Sequence, residues 1–265
     1  MYVTKSKNFA NGSVFALKTI GRCPIEITDT FLPLYTKHAI NNKSNKLLDQ
    51  EVGDRNQRWM IGVSTMSGCP VGCKFCATGS LKRCRNLIAD EIVEQVLFIV
   101  DRNKNVLENP IGEFKINYTR MGEPFLNLKH VQRAIKTINY ILTPKVGIVH
   151  HYISTIGIKG ADFSWIKNNI TLQLSVHSLD DERRRKLIPY KQLMSLKELG
   201  EIRTGSNLKT TINLTLVDKL DFDIEKLKEY FDPKYFFIKL SPININETSV
   251  KNSMGNGIIE SVNIL

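Results

Sequence analysis

The chain has 265 residues, 42% hydrophobic and 24% charged, a balance that excludes fibrous and low-complexity classes and suits a globular fold. No apolar run approaches the ~20 residues of a membrane-spanning helix, and Met1-Tyr2-Val3-Thr4-Lys5-Ser6-Lys7 lacks the apolar core of a signal peptide, so a reducing, cytoplasmic setting is expected. Lys and Arg number 37 against 26 Asp and Glu, a net charge of +11, which suggests a polyanionic partner such as RNA or DNA.

Residues 1–57 read as a small β-rich module. Val14-Phe15-Ala16-Leu17 and Ile25-Glu26-Ile27-Thr28 are its strand-like runs, and Lys37 to Asp54, with Asn41-Asn42-Lys43-Ser44-Asn45-Lys46, is a flexible loop. From Trp59 onward strand and helix patterns alternate. Trp59 to Ser64 is a strand that leads into a cysteine-rich loop. Ile88, Ile92, Val93, Val96, Leu97 and Val100 recur at helical spacing, with Asp90 and Glu91 in the first turn. Phe114 to Tyr118, Val149 to Ser154, Ile170 to Val176, Thr210 to Val217 and Phe236 to Leu240 are the further strands. Between them lie helices over Leu128 to Leu142, a short one through Trp165, parts of Asp181 to Arg203 broken at Pro189, and Ile224 to Phe231. Six strand–helix units predict parallel pairing with right-handed crossovers. The fold class is therefore α/β, a partial (β/α)6 barrel over residues 58–245 with the β-rich module before it. Residues 246–265, rich in Asn, Ser and Gly, form a tail or cap with no predicted helix. In such barrels chemistry sits at the C-terminal strand ends.

Three of the five cysteines, Cys69, Cys73 and Cys76, lie on one loop with the spacing C-x3-C-x2-C. Gly68, Gly72, Ala77 and Gly79 between and beside them leave room for a bulky inorganic group. Thiolates are the usual ligands of iron–sulfur clusters. Three of them hold a four-iron cube with one iron open to an outside ligand. A structural zinc site usually takes four protein ligands, and no second cysteine pair is present. An odd cysteine count in a chain of this length disfavours a disulfide framework.

Other strand ends carry polar groups. Met121-Gly122-Glu123-Pro124 can offer carbonyls and a carboxylate to an ammonium group, or be a surface turn. Ser154, Ser175 and His177 can hold a ribose or a carboxylate, although a lone histidine there is more often structural. Asn244 can meet an adenine edge. The basic clusters Arg183-Arg184-Arg185-Lys186 and Lys82, Arg83 and Arg85 follow strand-end loops, where they can reach phosphates or simply face solvent.

The cysteine loop Cys69-Pro70-Val71-Gly72-Cys73-Lys74-Phe75-Cys76-Ala77-Thr78-Gly79 resembles that of the radical S-adenosylmethionine (SAM) superfamily. Together with Arg85-Asn86-Leu87, Glu91-Ile92-Val93-Glu94-Gln95-Val96, Met121-Gly122-Glu123-Pro124 and Ser175-Val176-His177 it resembles the adenine-C-methyltransferases of ribosomal and transfer RNA, over residues 59–245. The resemblance implies a 4Fe-4S cluster on Cys69, Cys73 and Cys76. It also implies SAM contacts from Gly122, Glu123, Ser154, Ser175, Val176, His177 and Asn244. Glu26 matches an N-terminal proton acceptor. SAM cleavage to a 5′-deoxyadenosyl radical, RNA as substrate, and a donor such as flavodoxin or ferredoxin follow from the same likeness. Two features depart from it. The family's methyl transfer uses one cysteine near the C-terminus and another seven residues before the first cluster cysteine. Here the latter position is Gly62, and no cysteine follows Cys84 in this sequence; Cys23 and Cys84 match neither position. The alternatives are a radical SAM enzyme that does not methylate, or a non-catalytic iron–sulfur RNA-binding protein.

Overall fold

The computed structural model describes residues 1–34, 52–81, 85–218 and 222–255. The polar loop expected at residues 41–46, the basic pair Lys82 and Arg83, Cys84 and residues 256–265 lie outside the described residues. The chain forms two compact units, each built from several segments.

The first unit contains residues 1–64, 87–120 and 129–151. Its strands β1 (Tyr2–Phe9), β2 (Gly12–Lys18), β3 (Pro24–Leu32) and β4 (Arg58–Gly62) pair antiparallel in that order. The β-rich start is thus a three-strand meander leading to β4. Phe15, Leu17, Ile25 and Ile27 are its buried row, alternating with exposed or half-buried neighbours as strand geometry dictates. β1 is exposed along its whole length, so no hydrophobic alternation marks it in the sequence. The unit also contains β7 (Glu113–Tyr118), parallel to β4 with Gly62 opposite Asn117. Helix α1 (Ala89–Arg102) buries Ile92, Val93, Val96, Ile99 and Val100, and α2 (Leu128–Val146) buries Val131, Ile135 and Ile138. Two buried polar groups tie the unit together. Asp29 accepts from the Trp59 indole at 2.8 Å and from Arg55 at 2.7 Å. Gln95 reads the Ser64 backbone twice, accepting from its N–H at 2.8 Å and donating to its carbonyl at 3.0 Å. That pair fixes the direction in which the chain leaves β4.

The second unit contains residues 65–86, 121–128 and 152–265. Strand β8 (Val149–Thr155) gives its later half to this unit, which continues with β9 (Ile170–Ser175), β10 (Thr210–Thr215) and β11 (Phe236–Ser241). β9 and β10 are parallel, with Leu174 opposite Ile212, and β10 and β11 are parallel, with Ile212 opposite Ile238. The helices are α3 (Asp181–Leu187), α4 (Leu196–Gly200), α5 (Ile224–Tyr230) and α6 (Glu247–Lys251). A two-residue ladder of β5 (Met66–Ser67) and β6 (Arg85–Asn86) brackets the cysteine loop at its base.

Two expectations need correction. No helix passes through Trp165. Gly160 takes a left-handed φ of 78°, and the Asp162 carboxylate accepts from the Ser164 N–H at 2.8 Å, so local turn bonds replace helical ones. The tail does hold a helix, α6. It is too short for a periodic pattern and is set by its cap, where the Asn246 side chain accepts from the Thr248 and Ser249 amides.

Candidate active site

All of the cluster and SAM positions expected from the sequence fall within the second unit. Glu26 belongs to the first unit, where it makes an ion pair with Arg120. In that unit a Cβ added at Gly62 would lie 2.3 Å from Thr28 Oγ1 and 3.1 Å from Arg120 Cδ. A thiol therefore does not fit at 62 without displacing both side chains.

The cysteine loop is held from three directions. At its entry the Thr65 and Met66 amides both donate to the Met121 carbonyl, at 2.8 and 3.1 Å. That contact needs Gly122: its φ is 109°, and a Cβ would sit 2.7 Å from the Met66 amide nitrogen. On the second side the Lys74 amide donates to the Leu187 carbonyl of α3 at 2.9 Å. Cys69, Cys73 and Phe75 pack against a buried cluster that includes Val71, Ile156, Leu187 and Ile188. On the third side α6 clamps the loop. Asn246 Nδ2 donates to the Phe75 carbonyl at 3.0 Å and Asn252 Nδ2 to the Lys74 carbonyl at 2.9 Å. A cavity of about 400 Å³ lies between that clamp and the loop, lined by Gly72, Cys73, Thr248 and Asn252 among others. At Gly72, with φ 71°, an added Cβ would meet nothing within 4 Å, so the loop keeps open space there.

The three cysteines are half-buried. The Cys73 thiol is pushed well above its usual range, first by burial and then by the negative charge of Cys76, Cys69 and Glu123. Cys73 thus lies within electrostatic reach of both other cysteines and of Glu123, and its burial favours the protonated thiol. Among the described residues no set of three His, Cys, Asp or Glu side chains is already closed to metal-binding geometry.

Glu123 is 3% exposed. Its carboxylate accepts from the Phe125 amide at 3.1 Å and the Ile156 amide at 3.0 Å. Burial nevertheless raises it to about 7, against those hydrogen bonds. A carboxylate in that condition gains from a cation, and its remaining lone pairs can receive one. Ser154 Oγ and Ser175 Oγ lie 3.2 Å apart at the ends of β8 and β9. Val176 is fully buried and its amide donates to the Asn213 carbonyl at 3.1 Å. His177 has a φ of 62°, rare for a residue with a side chain. Its Nδ1 accepts from the Thr215 amide at 3.1 Å, which leaves the proton on Nε2. Burial, then the Arg184 charge, lowers it to about 3, so it is neutral near pH 7. Its ring meets Phe75 edge to face at 4.8 Å, which links it to the cysteine loop. Asn244 is exposed, next to the buried Ile243.

The basic positions divide. Arg184 cannot serve as a nucleic-acid contact: it is 0% exposed and its guanidinium is taken up by backbone carbonyls. Arg183 is half-buried and pairs with Asp218 at 3.7 Å. Arg185 is exposed, and Arg85 donates to the Asn86 carbonyl at 2.9 Å. Nothing local in the sequence marks Asn246, Asn252 and Arg184 as supports of the site. Each acts through backbone carbonyls of other segments, a signal that no short motif carries.

Fold and loop together define an α/β protein with three thiols at a strand end and a buried carboxylate beside them. Residues 63–231 match the Radical SAM superfamily, and the chain belongs to that superfamily of enzymes. A protein of Pseudothermotoga lettingae, named a probable dual-specificity RNA methyltransferase RlmN, is 34% identical over 191 residues, covering 69% of this chain and 54% of the relative. A dual-specificity RNA methyltransferase RlmN of Helicobacter hepaticus is 28% identical over 206 residues, covering 74% and 55%. The chain thus spans about half the length of the curated relatives it matches. The crystal structure of a radical SAM methyltransferase from Sphaerobacter thermophilus matches 99% of this chain and 72% of its own, with TM-score 0.70 and 21% identity. That likeness is one of fold: the partial (β/α)6 barrel expected from the strand–helix alternation. No helix among the described residues is long and apolar enough to cross a membrane.

Proposed function

We propose that the chain is a radical SAM enzyme that holds a four-iron, four-sulfur cluster on Cys69, Cys73 and Cys76 and modifies RNA, with adenine methylation the first reading. The observation that supports it most is the gathering of three cysteines on one anchored loop, with buried Glu123 in electrostatic reach of Cys73. Ionised together, three thiolates and a carboxylate would repel one another, and a cationic iron–sulfur core relieves that repulsion. The donor set fits the cluster: three soft ligands on one loop, with open space at Gly72. When bound and reduced, such a cluster supplies the electron that cleaves SAM into methionine and a 5′-deoxyadenosyl radical.

The chain's own residues bind and orient. Glu123 meets the SAM ammonium, a charge-assisted contact about twice as strong as a neutral one. Gly122 lets its backbone approach closely. The Ser154 and Ser175 hydroxyls, Val176 and the Nε2–H of His177 line the SAM nucleoside and carboxylate, and Asn244 meets the adenine edge. Glu26, the position that the family resemblance marks as a proton acceptor, is the candidate for that role. Arg183, Arg185 and Arg85, with Lys82 and Arg83, supply the phosphate contacts that the net charge of +11 calls for. A low-potential donor such as flavodoxin or ferredoxin provides the electron, in a reducing, cytoplasmic setting. The barrel, residues 58–245, carries this site, with α6 of the tail clamping its cysteine loop and the N-terminal module as an appendage.

A second reading has an observation of its own. The crowding of Gly62 by Thr28 and Arg120 favours an enzyme that makes the radical without transferring a methyl group. One experiment separates the two. The protein is reconstituted anaerobically with iron and sulfide, then incubated with isotopically labelled SAM, dithionite and total RNA, and the RNA and protein are read by mass spectrometry. Labelled methyladenine supports the first reading. 5′-Deoxyadenosine without labelled RNA or labelled cysteine supports the second. No 5′-deoxyadenosine at all defeats both.

A further inference from the structure

We infer that Arg184 is the counter-charge of the cysteine loop: a buried guanidinium that locks the ends of β8 and β9 and raises the reduction potential of the cluster. The inference rests on the cluster reading above.

Arg184 sits on α3 and is one of the largest fully buried side chains. Its three donor groups go to three main-chain carbonyls: Nε to Val176 at 3.2 Å, Nη1 to Met194 and Nη2 to Ile156. These bonds engage each of its three nitrogens but do not neutralise its charge. Among the described residues no carboxylate makes an ion pair with it; Asp181, the first opposite charge that acts on it, is engaged by the Leu196 amide at 3.0 Å. A buried charge without a counter-ion is costly, so a stable fold keeps one where opposite charge lies near.

Beyond Asp181, opposite charge comes from the loop once its thiols are ionised on a cluster. The helix that carries Arg184 also receives the Lys74 amide at Leu187. Ile156 sits in the middle: its N–H donates to the Glu123 carboxylate and its carbonyl accepts from Arg184. One residue's backbone therefore bridges the buried anion and the buried cation. Burial lowers Arg184 to about 10, with Asp181 supporting its charge and Arg185 opposing it. The guanidinium is cationic at neutral pH on that account.

One-electron reduction adds a negative charge to the cluster. A fixed cation nearby in a low-dielectric interior favours the reduced form, and net charge and hydrogen bonding around the sulfurs are what set such potentials. A carbonyl clamp with no electrostatic task would leave the potential where it was.

The test uses the full chain, reconstituted anaerobically, with Arg184→Met and Arg184→Lys as variants. Iron and sulfide content and thermal melting report loading and folding. An EPR-monitored titration with dithionite reports the potential. In Arg184→Met the reduction equilibrium is expected to fall at least tenfold, about 59 mV more negative for one electron. Arg184→Lys keeps the charge but cannot reach three carbonyls. It should melt lower than the parent and stay within about threefold of the parent's reduction equilibrium. An unmoved potential in a loaded Arg184→Met, or an equal shift in Arg184→Lys, overturns the inference. If Arg184→Met does not load, Arg184→Gln, which keeps a neutral donor, takes its place with the same two outcomes. A parent chain that takes up no cluster defeats the proposed function itself. A loaded parent with an unmoved variant defeats this inference alone.

Discussion

The Gly122→Ala substitution isolates how the loop is held. Gly122, Gly72 and Gly160 all have positive φ, at 109°, 71° and 78°, but their surroundings differ. An added methyl at Gly72 or Gly160 meets nothing within 4 Å, whereas at Gly122 it lands 2.7 Å from the Met66 amide nitrogen and from Met66 Cβ and Cγ. Left-handed strain on an alanine costs about 1–2 kcal/mol at any of the three. The clash at Gly122 adds about 1–3 kcal/mol of overpacking. Gly122→Ala should therefore lose about 2–5 kcal/mol, and Gly160→Ala about 1–2 kcal/mol. Relief of the clash must come from Met66, whose amide donates to the Met121 carbonyl and which leads directly into Gly68 and Cys69. Gly122→Ala should thus also bind less iron on reconstitution, while Gly160→Ala loads fully. Urea denaturation of each apo-protein, at constant m-value, gives the stability differences. Equal losses at Gly122 and Gly160 would refute the close approach of Met66, and with it the account of how the cysteine loop is anchored.

Cys73→Ala removes the middle thiol of the three and should leave the reconstituted protein with little iron and sulfide; a full complement would refute the ligand assignment. Glu123→Gln keeps the shape but removes the charge and turns an amide group toward a backbone donor. SAM affinity should fall at least tenfold and stability by about 1–3 kcal/mol, both checked by calorimetry. Asn246→Asp keeps the α6 cap but loses the donor to the Phe75 carbonyl, whereas Asn246→Ala loses both. Hydrogen exchange should therefore speed up in the cysteine loop in both variants and in α6 only in the alanine one. His151 and His177 are each lowered to about 3 by burial, so the unfolded chain binds more protons than the folded one between about pH 3 and 6.5. Stability should fall with falling pH across that window, each histidine contributing about 1.4 kcal/mol per pH unit at most. A slope unchanged in His151→Gln would contradict the assignment.

Short-range chemistry made the ligand loop legible. The three cysteines are separated by so few residues that their spacing alone brings them to one loop, whatever the rest of the chain does. Strand and helix positions were readable for a similar reason: Ile92, Val96 and Ile99, or Phe114, Ile116 and Tyr118, repeat with the period of the element they form and are buried accordingly. The elements that escape such a reading lack a period. β1 is exposed throughout, and α6 has one buried residue, Ser249, in a single turn defined by its cap.

The residues that complete the site were decided by tertiary structure. Arg184 has the sequence surroundings of a solvated basic cluster, Arg183-Arg184-Arg185-Lys186, and only the packing of α3 turns that one guanidinium inward to the carbonyls of Ile156, Val176 and Met194. Glu123 is acidic in any reading, but the condition that raises it to about 7, enclosure beside Ile156, exists only once β8 is in place. His177 takes its tautomer from the Thr215 amide of β10, 38 residues away. The sequence alone determined which groups can ligate, because identity and close spacing are local. Which of the charges are buried, and which face the cysteine loop, depended on contacts between distant segments, and burial is the physical quantity that turns a surface charge into a functional one.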